Sequence, residues 1–259
     1  MGGFLKLVRE HSPLVHHITN YVTMNDCANA TLAIGGSPVM TASPDEAAEM
    51  ASIASALVLN MGTCDEDQYR AMAEASGTAR KRGIPVVFDP VGAGATAFRR
   101  RYALRVMEEL APDLVKGNAA ELSFLAGSAS EQRGVDSTGS ATRDALLAVR
   151  ERYRCVAVAT GPVDLACGEG GLVYVRGGNE ELGRVCGTGC MSASVLACLA
   201  AVSAGNYLEA AVSCSLLMKL AGEEAQRRRM LKDGGLSSFR WALMDELGRV
   251  DDEIGRAHV

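Results

Sequence analysis

Pro85-Val86-Val87-Phe88-Asp89-Pro90-Val91-Gly92-Ala93-Gly94 runs from an unbroken apolar segment into an acid and a glycine-rich turn. A strand buried on both faces has this continuous character; a strand with one wet face alternates instead. An acid followed by glycines supplies charge and a backbone that a ligand can approach closely. The stretch therefore predicts a parallel strand of an α/β sheet, with Asp89 at its ligand end.

The same signature recurs on either side. Apolar runs at 56–61, 113–116, 155–160 and 171–175 read as further strands. Longer helical patterns occupy 44–55, 65–82, 97–110, 119–126, 140–153, 189–203, 207–229 and 238–250. Ser43 before Pro44, Asp45 and Glu46 gives the first of these a cap, a first-turn proline and first-turn acids. Short runs alternating with helices predict an α/β fold, a mostly parallel central sheet with helices on both faces. No Pro/Gly/Ser-rich linker divides the chain and no repeat is visible, so one domain over residues 1–259 is expected.

Composition narrows the function. The 259 residues are 48% hydrophobic and 22% charged, as in a globular protein, and the formal net charge of −5 argues against a nucleic-acid partner. The basic runs Arg99-Arg100-Arg101 and Arg227-Arg228-Arg229 sit beside acids in helical stretches and read as solvated helix faces. None of the eight cysteines forms a C-x-x-C pair, and no signal peptide opens the chain; reduced thiols in the cytoplasm are expected. The charge-poor stretch 191–204 is too short for a bilayer and reads as a buried helix.

In an open parallel sheet, ligands bind beyond the C-terminal ends of the strands. The polar residues there are Asn60-Met61-Gly62-Thr63, Asp89-Pro90-Val91-Gly92, Lys116-Gly117-Asn118 and Thr160-Gly161. Gly187-Thr188-Gly189-Cys190 opens a helix with two glycines, which suits a backbone cradle for an anion such as phosphate. A thiol at that helix start is expected to have a lowered pKa; the plainer alternative is a glycine-rich helix start beside a buried cysteine. Asp89 and Glu121, with Lys116 between them in sequence, suit a Mg²⁺–nucleotide site, although each could simply cap its element. Gly92-Ala93-Gly94-Ala95-Thr96-Ala97 fits the dinucleotide pattern only loosely, because Asp-Pro precedes its glycines, and no Walker A pattern occurs. The adjacent His16 and His17 would face opposite ways on a strand and make a poor chelate; Asn20 is the more credible polar contact.

Taken in order, these residues resemble the hydroxyethylthiazole kinase family, of the ribokinase-like fold. The matching stretches are Pro13–Val22, Gly36–Met40, Leu57–Thr63, Asp89–Thr96, Gly117–Glu121, Gly134–Ser137 and Gly187–Cys190. Cys190 is the sharpest sign, because most ribokinase-like kinases resemble Gly-Ala-Gly-Asp at this turn. The resemblance implies ATP-dependent phosphorylation of the hydroxyl of 4-methyl-5-(2-hydroxyethyl)thiazole, in thiamine biosynthesis or salvage. It implies that Met40, Gly187 and Asn20 meet the thiazole, that Lys116 and Thr160 meet ATP, and that Asp89 and Glu121 serve Mg²⁺. Cys190 would stand by the reacting hydroxyl, on a cradle formed by Gly187 and Gly189, and a homotrimer with active sites at subunit interfaces is implied. Lys116 stands where the family usually has Arg, His17 where it has Asn, and Cys186 where it has Thr. A kinase for another small alcohol, such as a hydroxymethylpyrimidine, and a hydrolase or transferase using Cys190 as a nucleophile remain as alternatives.

Overall fold

The structure is a computed structural model that describes residues 3–127 and 139–251. The motif Gly134–Ser137 and His258 lie outside the described residues. Among the described residues eight strands form one sheet in the order β2-β1-β3-β4-β5-β6-β7-β8. They are β1 (Leu14–Ile18), β2 (Ser37–Met40), β3 (Ala56–Asn60), β4 (Val86–Asp89), β5 (Leu114–Asn118), β6 (Val156–Thr160), β7 (Asp164–Gly168) and β8 (Gly171–Val175). Every pairing from β2 through β6 is parallel, and the pairings of β7 with β6 and with β8 are antiparallel.

Side chains alternate across this sheet and feed two cores. Val58 of β3, with Val15, Val87, Leu114 and Val158, packs under α1 (Phe4–His11), α2 (Met24–Ala33), α8 (Thr188–Val202), α9 (Tyr207–Leu231) and α10 (Leu236–Arg249). Leu57 and Leu59, with Phe88, Val115 and Ala157, face α3 (Pro44–Ile53), α4 (Glu66–Arg82), α5 (Ala97–Arg105), α6 (Ala119–Leu125) and α7 (Gly139–Tyr153). The expected strands and helices are all present, to within a few residues at their ends. The expected helix 97–110 changes character after Arg105 and finishes as a π turn over Val106–Leu110.

β1, β2 and β7 carry weaker strand signals, and the chain order around β1 matters for function. The chain passes from β1 outward to β2, then returns to β3 on the other side of β1. That reversal makes the C-terminal ends of β1 and β3 a switch point, where the ligand crevice of such sheets usually lies.

α8 is buried from Cys190 through Ala200, as the charge-poor stretch implied. Among the described residues no helix is long and apolar enough to cross a membrane. The basic runs are not simply solvated faces. Arg99 donates to the carbonyls of Met61, Gly62 and Val91 at 3.1, 2.6 and 2.8 Å, tying together the loops after β3 and β4. Arg228 reaches Glu246 at 2.6 Å and Arg229 reaches Glu181 at 2.9 Å; Arg227, paired with Glu224, stays at the surface as expected, and so do Arg100 and Arg101. Glu224, beside the run on the same helix, pairs with Arg227 and Arg228, while Glu246 and Glu181 belong to other elements that Arg228 and Arg229 hold.

Candidate active site

The turn at Gly187 sits where α8 begins, above the sheet's ligand edge. Gly187 is the N-cap residue with φ 90°, in the left-handed region that favours glycine. No side chain caps the helix and no acid lies in its first turn. The first-turn N–H groups therefore have no acceptor within the helix and carry the positive end of its dipole. A Cβ on Gly187 would lie 2.7 Å from Cγ2 of Thr23, so the turn is closely packed against the start of α2.

Beneath the turn, three strand-end residues and Cys190 of α8 form one network. Asn20, just after β1, donates from Nδ2 to Oδ1 of Asn60 at 2.9 Å and to the Cys190 sulfur at 3.3 Å. Asn60, ending β3, donates from Nδ2 to Oδ2 of Asp89 at 2.9 Å and to the same sulfur at 3.2 Å. Thr23 donates its N–H and its hydroxyl to Oδ1 of Asn20, at 3.0 and 3.1 Å, which fixes which way that amide faces. The β1–β3 crevice thus has a polar floor of Asn20, Asn60, Asp89 and Cys190, all buried.

The charges under the turn are crowded. Burial pushes the Asp89 carboxyl up from its ordinary range to about 6; Lys116 opposes that shift, and the nearby Glu121 adds to it. Burial pulls the Lys116 ammonium down, but the carboxylates of Asp89 and Glu121 outweigh it and raise the pKa. Lys116 donates to the Gly189 carbonyl at 2.8 Å, placing a buried cation directly below the cradle. Glu121 is held by the capping box of α6. Its Oε2 accepts from the Asn118 N–H at 2.8 Å, and its Oε1 accepts from the Gly92 N–H at 2.9 Å. The loosely matching glycine loop after β4 therefore serves to fix Glu121.

The expected lowering of the Cys190 pKa is reversed. Burial pushes this thiol up and the Asp89 carboxylate pushes it further; Thr23, Lys116 and Asn60 pull the other way without prevailing. About half a charge at a helix terminus is outweighed by desolvation and a full neighbouring charge.

A cavity of about 590 Å³ lies on the other side of the turn. Thr160, Gly161, Gly178, Thr188, Gly189 and Lys219 are among the residues that line it. A larger space of about 950 Å³ is an open groove lined by Asp113, Arg150 and Tyr207, among others. It lies at the opposite edge of the sheet, where β5 and β6 begin, away from every strand-end residue described above.

The residues singled out from sequence thus separate into groups. Asn20, Asp89, Gly187, Gly189, Cys190, Lys116 and Glu121 cluster at and below the turn. Thr160 is on the cavity wall, its hydroxyl donating to the Gly117 carbonyl at 3.3 Å. Lys116 does not line that cavity. Met40 ends the edge strand β2, half-buried, opposite His17 in register. His16 and His17 donate to the Thr41 and Val15 carbonyls at 3.1 and 3.0 Å, and burial lowers the pKa of His17 to about 4. Among the described residues no group of three or more His, Cys, Asp or Glu stands ready to chelate a metal. The sequence marks Asn60 only as a polar strand end, without a role, and does not single out Thr23 or Lys219. Lys219 had a legible signal, a lone cation inside the apolar run Leu216-Leu217-Met218-Lys219-Leu220-Ala221.

The fold and the strand-end site together define an α/β protein of the ribokinase-like class. In keeping with this, a ribokinase-like superfamily protein from Enterococcus faecalis V583 superposes with a TM-score of 0.56 at 12% identity, covering 91% of this chain and 86% of that one. The chain belongs to the hydroxyethylthiazole kinase family, whose sequence model matches residues 5–253. The hydroxyethylthiazole kinase of Rubrobacter xylanophilus is 45% identical over 98% of this chain and 94% of its own length. The structure of the hydroxyethylthiazole kinase protein from Pyrococcus horikoshii OT3 superposes with a TM-score of 0.88 at 38% identity, covering 98% of this chain and 94% of that one.

Proposed function

We propose that this chain transfers the γ-phosphoryl group of ATP to the primary hydroxyl of 4-methyl-5-(2-hydroxyethyl)thiazole, with Mg²⁺, in thiamine biosynthesis or salvage. Membership of the family supports the activity, and the names of its relatives supply the substrate. One observation carries the reading. The turn Gly187–Cys190 borders the 590 Å³ cavity through Thr188 and Gly189, and the asparagine-lined crevice through Cys190. A nucleotide in the cavity and an alcohol in the crevice would meet across the turn's N–H groups.

The roles follow from these positions. Asn20, Met40 and Gly187 receive the thiazole. Thr160 contacts the nucleotide, and Lys116 offsets phosphate charge from below the turn. Mg²⁺ typically takes one or two carboxylates with water and phosphate oxygens. The donor set fits: burial and Glu121 oppose ionisation of Asp89, a burden a divalent cation relieves, and Glu121 is held in place as the second carboxylate. Asp89 would hold the ion, with Glu121 directly or through water, and the ion would screen the β,γ charge. The chain acts in the cytoplasm as a single domain, within a homotrimer whose active sites lie at subunit interfaces.

Phosphoryl transfer proceeds through a loose transition state, so positioning and electrostatics supply most of the rate. A thiol with a raised pKa that accepts two amide N–H bonds is a weak proton acceptor, and its place is beside the hydroxyl. Cys190→Ala is therefore expected to slow turnover by no more than about 10²-fold, the lower end of what a positioned acid–base group contributes. Cys190→Asp is expected to stay active; a dead Cys190→Asp that still binds nucleotide would show that residue 190 is not beside the reacting hydroxyl. Among the described residues the Cys190 sulfur accepts from the amides of Asn20 and Asn60 and from no histidine, whereas a Cys190-nucleophile hydrolase would need a base beside the thiol.

The decisive assay measures ADP release with ATP, Mg²⁺ and hydroxyethylthiazole. Alcohol-dependent release is expected. Release that ignores the thiazole, or that prefers a hydroxymethylpyrimidine, would refute the substrate assignment.

A further inference from the structure

Lys219 is a buried cation that the phosphoryl-transfer mechanism does not use. It lies midway along α9, and its side chain is 6% exposed. Its Nζ donates to the carbonyls of Gly161, Pro162 and Gly177 at 3.2, 3.3 and 3.0 Å, and lies 3.2 Å from Oδ1 of Asp164. An ammonium has three N–H donors, so these partners occupy it fully and leave nothing for a phosphate. Asp164 completes the arrangement by accepting from the Gly161 N–H at 3.0 Å.

The partners belong to two separate segments. Gly161, Pro162 and Asp164 form the β6–β7 turn; Gly177 lies in the loop after β8. Both segments, and Lys219 itself, line the 590 Å³ cavity. The second loop is also tied by the Gly178 N–H, which donates to Oε1 of Glu223 at 2.5 Å, and Gly177 and Gly178 both take left-handed backbone, with φ of 93° and 90°. A Cβ at Gly178 would lie 3.0 Å from Cγ of Lys219, so the lysine stem is also packed against that loop.

We propose that Lys219, neutralised by Asp164, is a positioning residue for nucleotide binding: it ties the β6–β7 turn to the loop after β8 and so sets the width of the cavity. The proposal rests on the cavity being the nucleotide site. Loops released from a common anchor misplace several ligand contacts together, whereas the β1–β3 crevice loses nothing. The signature is a split between the two substrates.

Lys219→Met keeps the length of the stem and removes the donors. It is expected to raise the KM and the Kd for ATP by about tenfold or more, since displacements of an ångström at a site carry penalties up to about 10²-fold. The KM for the thiazole alcohol, and kcat at saturating ATP, should stay within about twofold, the margin left where loops far from the crevice move. Lys219→Met strands a buried carboxylate, so the double variant Lys219→Met/Asp164→Asn is measured alongside it. Replacing both members of a buried pair is tolerated far better than removing one. Asp164→Asn alone keeps the three carbonyl bonds and should retain most of the ATP affinity.

ATP binding is read by calorimetry and folding by circular dichroism. Failure of the wild-type protein to bind ATP would overturn the nucleotide reading of the cavity, and this proposal with it. Wild-type binding with unchanged affinity in the folded double variant would overturn the proposal alone. Equal rises in both KM values would overturn it too, since a general structural defect moves both.

Discussion

Gly187→Ala is expected to lower kcat/KM for phosphoryl transfer by about 10²–10³-fold, the range seen when one preorganised donor at a developing charge is lost. Two independent constraints meet at this residue. Its φ of 90° is a conformation that costs an L-residue roughly 1–2 kcal/mol. Its added Cβ would also stand 2.7 Å from Cγ2 and 3.1 Å from Cβ of Thr23, neither of which is the free end of a flexible chain. Relief requires the start of α8 to move, and with it the N–H groups that form the cradle. A shift of Thr23 instead would release Oδ1 of Asn20, which Thr23 holds twice, and free the amide that reaches Cys190. Steady-state ADP release, with thermal melting to follow the fold, measures the effect. A variant that keeps its fold and works within about threefold of wild type would mean that the backbone of this turn is not where the transferred group is held.

The sequence alone gives Gly187 and Gly189 the same part in the cradle and predicts that a bulky residue at Gly189 hurts more than Cys190→Ala. The geometry moves the weight to Gly187. A Cβ on Gly189 would meet Nζ of Lys116 at 3.2 Å, the far end of a flexible side chain that can retreat. A bulky residue there would still close the cradle, but a methyl group would not. Contacts between α2 and α8 decide this difference, and nothing in the spacing of the glycines carries it.

Legibility elsewhere followed the strength of the local signal. β3, β4, β5 and β6 were readable because strands buried on both faces are continuous apolar runs, and their polar ends marked the ligand edge without any knowledge of the topology. β1 carries two histidines in five residues, β2 contains Pro38 and survives as a strand because it is at the edge, and β7 reads Asp-Leu-Ala-Cys-Gly with no β-branched residue. With β1 and β2 weakly marked, the reversal between β1 and β3 was out of sight. So was the reason that Asn20 and Asn60, forty residues apart, meet over one sulfur. The direction of the Cys190 shift went wrong for a related reason. A helix terminus is visible in sequence, whereas depth of burial and the approach of Asp89 come only from the packed fold.

Asp89→Asn separates stability from activity most sharply. The substitution keeps the shape of the side chain and an oxygen that can still accept from Asn60, but it removes the charge. Loss of the carboxylate that serves the metal and balances Lys116 is expected to lower kcat/KM by about 10²–10³-fold, the scale of one electrostatic contact to the transferring group. It should also raise the Mg²⁺ concentration needed for half-maximal rate. Stability should move the other way or not at all. The Asp89 carboxyl has a folded pKa of about 6 against an ordinary 3.8, so in the window between them the folded chain binds the extra proton. Stability falls with rising pH wherever the folded state holds more protons than the unfolded one. This group's contribution is therefore lost as the pH climbs from about 4 to about 6, and above that the ionised carboxylate remains a cost to folding. Asparagine carries no such cost, so the variant's melting temperature at pH 7 should equal or exceed that of the wild type. In the wild type the proton and Mg²⁺ compete for this carboxylate, so the Mg²⁺ concentration needed for half-maximal rate should rise as the pH drops below about 6, while stability rises. Melting curves and Mg²⁺ titrations of both proteins between about pH 4 and pH 8, about two units on either side of that value, test this. An Asp89→Asn protein that melts well below wild type at pH 7 would mean that the carboxylate is retained for the fold, and not against it for the reaction.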